Sequence, residues 1–216
     1  MKRYILAVLI SVACGQGSAT IAGKTQGVDT SGADGADAGG DGADAGEGDC
    51  PADLVDFGGG GCPSACTGGC DGDTCSIDCG GIGDCGGDAL VCPDGWRCAV
   101  DCGGIEACGS LTLRGGADAA LRLDCGGVDA CDGAALTCPA GGPCDVSCGG
   151  SGACTSLTVT CDLARGDCAL DCGGGGACQS AGLSCGADAC TRTCSVGSSR
   201  PIMTGCSESC ACGSEC

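Results

Sequence analysis

The chain has 216 residues, with 47 Gly, 29 Cys, 28 Asp plus Glu, 9 Lys plus Arg and no His. The lack of His removes histidine general bases, Cys–His pairs and histidine metal ligands. A formal net charge of -19 argues against binding nucleic acid or an anionic membrane by charge. With Tyr4, Phe57 and Trp96 as the only aromatics, there is no platform for stacking bases or sugars.

Leu, Ile, Val and Phe are few and scattered, so an ordinary apolar core is not expected. Cys content above about 8–10% reads as a disulfide scaffold. The structural question is therefore what the cysteines do.

Residues 1–13 read MKRYILAVLISVA. Lys2 and Arg3 form a basic start, and the apolar run from Tyr4 to Ala13 is too short to span a bilayer. This is the layout of a secretory signal. The segment Ile10-Ser11-Val12-Ala13-Cys14 resembles a bacterial lipobox, in which small residues precede a Cys that is diacylated and becomes the mature N-terminus. The resemblance covers only these first residues, and Ser11 departs from the usual Leu. It implies lipidation at Cys14 and a lipid-anchored protein at the outer membrane or cell surface. Ordinary signal cleavage after Ala19 or Ala22 is the alternative and gives a secreted protein. Both routes lead to an oxidising compartment, where disulfides persist. Removing Cys14 from the 29 leaves 28 structural cysteines, an even number.

Residues 14–49 then form the lipidated Cys and an acidic tether that ends GADGADAGGDGADAGEGD. It has almost nothing to bury, so disorder is expected, and its like charges extend it. Its Asp spacing does not match an EF-hand loop. The plan of acylated Cys, acidic linker and folded head resembles that of many bacterial surface lipoproteins.

Residues 50–74 read as an N-terminal cap. Within it, Val55-Asp56-Phe57-Gly58-Gly59 is a degenerate copy of a downstream repeat. In residues 75–194, Cys-Gly-Gly-x-x-(Ala/Asp)-Cys occurs five times, starting at Cys79, Cys102, Cys125, Cys148 and Cys172. The starts are 23, 23, 23 and 24 residues apart. A fixed period of this size means stacked units. Within a unit, stretches such as Cys98-Ala99-Val100-Asp101-Cys102 and Ser156-Leu157-Thr158-Val159-Thr160 alternate apolar and polar residues, the pattern of half-buried strands. Gly-Gly or Pro93-Asp94-Gly95 turns separate them, and Gly and Pro recur too often for helix. Two strands and two turns per unit fit one coil of an all-β, disulfide-stapled parallel β-helix of about five coils with degenerate caps. Equivalent residues would stack about 4.8 Å apart. The repeat length resembles that of right-handed parallel β-helix proteins, without the motif of any enzyme family. A string of small independent knots is the alternative, but the apolar face is too thin to close around one unit. Residues 195–216 are a Cys-dense C-terminal cap.

Each unit has four cysteine positions. The two unfilled ones, Gly115 and Leu121, are equivalent to Cys92 and Cys98, and loss in pairs is what a disulfide leaves behind. This pairs Cys70 with Cys75, Cys92 with Cys98, Cys138 with Cys144, Cys161 with Cys168 and Cys185 with Cys190. The other cysteines allow two schemes. Closure within each motif, such as Cys79–Cys85, leaves an odd number at both ends. Closure between units, such as Cys85–Cys102 and Cys178–Cys194, leaves even numbers and is favoured on that ground. Spacing alone does not fix connectivity.

The candidate sites are few. Asp78, Asp101, Asp124 and Asp171 hold one outward position, with Ser147 in the fourth unit. Stacked carboxylates repel, and Ca²⁺ would relieve this through its preference for oxygen ligands. Alternatively the Asp caps the Gly-Gly turn. Free thiolates would bind soft metals, but export and paired loss favour disulfides. Trp96 and Arg97 form a distinctive turn, with turn packing as its plain explanation. The outward positions of the second strand are too irregular for a threonine array that binds ice. No carboxylate pair converges with aromatics as sugar cleavage requires, and no cofactor or catalytic residue is expected. The expectation is a non-enzymatic, exported, lipid-anchored protein with a structural or adhesive role, meeting a surface protein or polysaccharide but no nucleic acid. The alternative is a metal-binding protein, with Ca²⁺ on the Asp column or soft metal on thiols.

Overall fold

The computed structural model describes residues 60–161, 165–207 and 209–216. The expected signal, Cys14, the tether and residues 50–59 of the N-terminal cap lie outside them. The described regular structure is entirely strand: β1 (Gly69–Asp71), β2 (Thr74–Asp78), β3 (Ala89–Val91), β4 (Arg97–Asp101), β5 (Thr112–Arg114), β6 (Ala120–Asp124), β7 (Ala135–Thr137), β8 (Cys144–Cys148), β9 (Thr158–Thr160), β10 (Cys168–Cys172), β11 (Gly182–Ser184), β12 (Cys190–Cys194), β13 (Ile202–Thr204) and β14 (Cys212–Glu215). They form an eight-stranded sheet, β1-β2-β4-β6-β8-β10-β12-β14, and a six-stranded sheet, β13-β11-β9-β7-β5-β3. Every pairing is parallel except that of β1 with β2. The chain is a β-solenoid in which each coil gives one strand to each sheet. The stack extends past the regular repeats, because β13 completes a sixth coil and β14 begins a seventh.

The period-2 pattern sets which side chains enter the core. Ile77, Val100, Leu123, Val146 and Leu170 stack in register along the long sheet and are buried. Leu113, Leu136, Val159 and Leu183 do the same along the short sheet. Among the described residues no polar or charged side chain is buried. The core is thus a thin slab of aliphatic ladders bordered by two columns of sulfur.

The Cys-Gly-Gly turns continue the ladder by other means. Residues 83, 85 and 87 have φ of 68°, 55° and 73°, and their equivalents Glu106, Cys108 and Ser110 have 56°, 58° and 55°. Alternate left-handed residues point successive N–H groups in opposite directions along the stack. Ser110 N–H donates to Asp132 O of the next coil at 2.7 Å, while Cys108 N–H donates to Asp84 O of the previous one at 2.7 Å. A left-handed non-glycine residue is uncommon and costs energy. Here the N–H groups of Glu106, Cys108 and Ser110 all bond neighbouring coils, and the cysteine at each central position is held by a disulfide.

The second glycine of each motif is required by close approach. A Cβ on Gly104, Gly127, Gly150 or Gly174 would collide with the carbonyl of the equivalent glycine one coil earlier. The first glycine is under no such constraint, since a Cβ on Gly149 would meet nothing within 4 Å.

The disulfides close individual coils. One column contains Cys79–Cys85, Cys102–Cys108, Cys125–Cys131, Cys148–Cys154 and Cys172–Cys178. The other contains Cys66–Cys75, Cys92–Cys98, Cys138–Cys144, Cys161–Cys168, Cys185–Cys190 and Cys206–Cys212. Gly115 and Leu121 fill the vacant position of this second column, with Leu121 in register between Cys98 and Cys144.

Two expectations are corrected. The closure favoured between units does not occur, and each motif closes on itself. Cys70 is bonded to Cys62 and not to Cys75, which takes Cys66. The reason lies in how the chain enters the first coil. β1 runs antiparallel to β2 and sets Cys70 opposite Cys75 in register, while the incoming hairpin carries Cys66, which is buried, to the corner that Cys92 occupies one coil later. At the other end Cys194 bonds Cys216. Cys210 is disulfide-bonded as well.

The two ends of the core are closed by polarity. In the first coil Asp84 and Asp88 stand exposed where the next coil buries Ala107 and Leu111. In the sixth, Arg192 occupies the register position of Leu170. Its guanidinium donates to Ser214 Oγ at 2.9 Å and to the Pro201 carbonyl.

Candidate functional site

The outer face of the long sheet carries charged side chains in columns. Parallel register makes one column of Asp78, Asp101, Asp124, Ser147, Asp171, Thr193 and Glu215. The four sequence-predicted aspartates thus share a column, Ser147 separating Asp124 from Asp171. Asp78 Oδ1 accepts the Gly80 N–H at 2.9 Å, the turn-capping role expected of it. Thr193 Oγ1 donates to Asp171 Oδ1 at 2.6 Å.

The adjacent outward column runs Ser76, Ala99, Arg122, Asp145, Ala169 and Thr191. Arg122 is therefore set beside the Asp column and next to Asp145. Partial burial pushes the Asp145 carboxyl above the ordinary value; Arg122 opposes the shift and Asp167 adds to it. Asp145 is nonetheless exposed at the surface of the sheet, so solvent screening keeps the effect small. Two shallow depressions lie here. One of about 420 Å³ is lined by Asp78, Asp101, Asp124 and Arg122 among others. The other, of about 280 Å³, lies between Arg97 and Arg122 and reaches Asp145. Arg97 pairs with Asp73 at 2.9 Å with both side chains about half exposed, an ion pair that contributes little to stability.

Trp96 is not a surface feature: it is 6% exposed and packs into the core cluster. Only its neighbour Arg97 faces solvent. Among the described residues, the groups that bring three metal-ligating atoms together are all cysteine sulfurs, such as Cys102, Cys108 and Cys131, and every one is disulfide-bonded.

Two surface columns emerge only from the stacking. Ile82, Ile105 and Val128 come after the second glycine in successive coils and are 78%, 50% and 47% exposed. Their signal in the sequence is an aliphatic residue in a turn whose later copies are Ser151 and Gly175. On the short sheet, Thr137, Thr160, Ser184 and Thr204 line up as a hydroxyl column, continuing from Val91 and Arg114. The chain matches no known protein family, no characterised protein and no solved structure.

Proposed function

We propose that the protein is a non-enzymatic, exported surface lipoprotein whose disulfide-rich head has a structural or adhesive role. The observation that carries this reading is the closure of one coil after another by its own disulfides. Such a head keeps its cross-section without a large core, and disulfides persist only where the surroundings are oxidising. Cys14 would anchor the chain in a membrane and residues 15–49 would hold the head away from it. The exposed column Ile82, Ile105 and Val128 beside Glu106 and Asp129 supports an interaction role, because regular apolar exposure next to acids suits contact with a surface protein or polysaccharide.

The test is the intact mass of protein purified from its native envelope and alkylated with and without prior reduction. Alkylation only after reduction, at 28 cysteines (29 less the acylated Cys14), together with lipid mass on Cys14, is expected. Abundant reactive thiols before reduction, or tightly held soft metal, would overturn the reading.

A second reading is favoured by one observation, the in-register stacking of Asp78, Asp101 and Asp124. Ca²⁺ between neighbouring carboxylates would relieve their repulsion. It would then raise the guanidinium midpoint of the wild type and not of an Asp101→Asn/Asp124→Asn variant; equal responses would remove this reading.

A further inference from the structure

We propose that Cys206–Cys212 is a redox-active disulfide, and that it passes reducing equivalents from a dithiol into the buried sulfur column behind it. Three observations converge. Cys212 is exposed, whereas Cys185 and Cys190 of the next disulfide are 3% and 0% exposed. The sulfurs of Cys206, Cys212 and Cys185 all lie within 4.8 Å of one another. Further in, Cys138 Sγ is 3.4 Å from Cys161 Sγ and 3.8 Å from Cys168 Sγ. Cys185 is therefore within reach of attack from Cys206 or Cys212, and Cys138 within reach of Cys161 and Cys168. Between these two groups Cys168 and Cys190 are in register on β10 and β12, which stacks Cys185–Cys190 on Cys161–Cys168.

The chemistry is thiol–disulfide exchange. A dithiol attacks Cys212 Sγ, cyclises to its own disulfide and leaves Cys206 and Cys212 as thiols; it is oxidised by two electrons and the pair is reduced. The Cys206 thiolate then attacks Cys185 Sγ, forming Cys206–Cys185 and breaking Cys185–Cys190. Cys190 leaves as a thiolate and takes up a proton. Next the Cys212 thiolate attacks Cys206 Sγ, reforming Cys206–Cys212 and expelling Cys185. The dithiol has moved one coil inward with no further electron change. Repetition carries it to Cys161–Cys168 and Cys138–Cys144. There it stops, because Gly115 and Leu121 occupy the next position and Cys92–Cys98 lies beyond the gap.

The test applies a limiting amount of dithiothreitol to the full-length protein, quenches with an alkylating agent, and maps the labelled cysteines by peptide mass spectrometry. Label is expected on the four pairs from Cys138 to Cys212, and not on Cys92 or Cys98. In Cys206→Ser/Cys212→Ser, label on Cys185 and Cys190 should be lost. In Cys161→Gly/Cys168→Leu, which copies the natural gap, Cys185 and Cys190 should keep their label and Cys138 and Cys144 should lose it. This second variant retains the terminal disulfide, so a folding failure of the first does not remove the test. Labelling of Cys92 and Cys98 in step with Cys185 and Cys190 would show entry by unfolding and overturn the proposal. Wild-type labelling of Cys185 and Cys190 in the first variant, or of Cys138 and Cys144 in the second, would do the same.

Discussion

Gly150 packs its α-carbon against the carbonyl oxygen of Gly127, so that a β-carbon on Gly150 would occupy the space of that oxygen. The same contact joins Gly127 to Gly104 and Gly174 to Gly150. Backbone opposes backbone here, and the strain of an added methyl can be relieved only by separating two coils. Gly150→Ala is therefore expected to cost about 3 kcal/mol, the upper part of the overpacking range. Gly149→Ala, one residue earlier and in open space, should stay within about 0.5 kcal/mol of wild type. Guanidinium midpoints of the two variants, measured with disulfides intact, give the comparison. Similar midpoints would refute the steric account.

The reduced head is expected to be unfolded. Its aliphatic ladders are one residue wide on each sheet, and ordering every backbone unit costs about 1–2 kcal/mol. Restriction of the unfolded chain by disulfides offsets that cost. Circular dichroism before and after complete reduction should show loss of the β signal, and an unchanged spectrum would mean that strand pairing suffices alone.

Leu136 and Thr137 are neighbours on β7 with opposite fates, Leu136 being 2% exposed and Thr137 facing solvent. Leu136→Ala should destabilise by about 2–5 kcal/mol, because neighbouring coils hold the cavity open. Thr137→Ala should change stability by no more than about 0.5 kcal/mol. Equal effects would mean that the slab core collapses around the vacancy.

Asp145 should make stability depend on pH in an unusual direction. Its folded-state carboxyl is raised by partial burial, with Arg122 opposing and Asp167 reinforcing. The folded protein then binds the proton more tightly than the unfolded chain, so stability falls as pH rises through the raised folded value. The penalty is fully present above that value and is relieved below the ordinary carboxylate value. Asp145→Asn should raise the denaturation midpoint at pH 7, and the advantage should shrink as the pH falls through the carboxylate range. A constant advantage at all pH values would assign the effect to packing.

The fold was readable because its periods are regular. Spacing of the Cys-Gly-Gly motif placed the coils, and alternation around Val100 or Val159 placed the inward faces. The paired absence at Gly115 and Leu121 located one disulfide position. Counting parity at the ends misled, because it assumed that each end closes its own cysteines, whereas the N-terminal count stays odd with Cys62–Cys70 and Cys66–Cys75 in place of Cys70–Cys75. Their actual bonding depends on the direction of β1, which is a tertiary property. The role of Gly127 was also hidden: sequence reads a Gly-Gly pair as a turn, and only the stack reveals that the first glycine is free and the second is pressed against its copy. The candidate site was legible as a column of Asp, but the placement of Arg122 beside it required register across strands.

Except for Cys194–Cys216, each disulfide between described residues bridges residues 5 to 9 apart in sequence, inside one coil. From β2 to β12 these bonds fix the girth of the stack, while neighbouring coils are held to one another by hydrogen bonds and side-chain stacking. Under tension applied across these coils the stack would peel one coil at a time. Each coil released would yield less chain than its residue count allows, because the segments inside the disulfide loops bear no load. A single-molecule trace would be a series of short, even steps, lengthening only once the protein had been reduced.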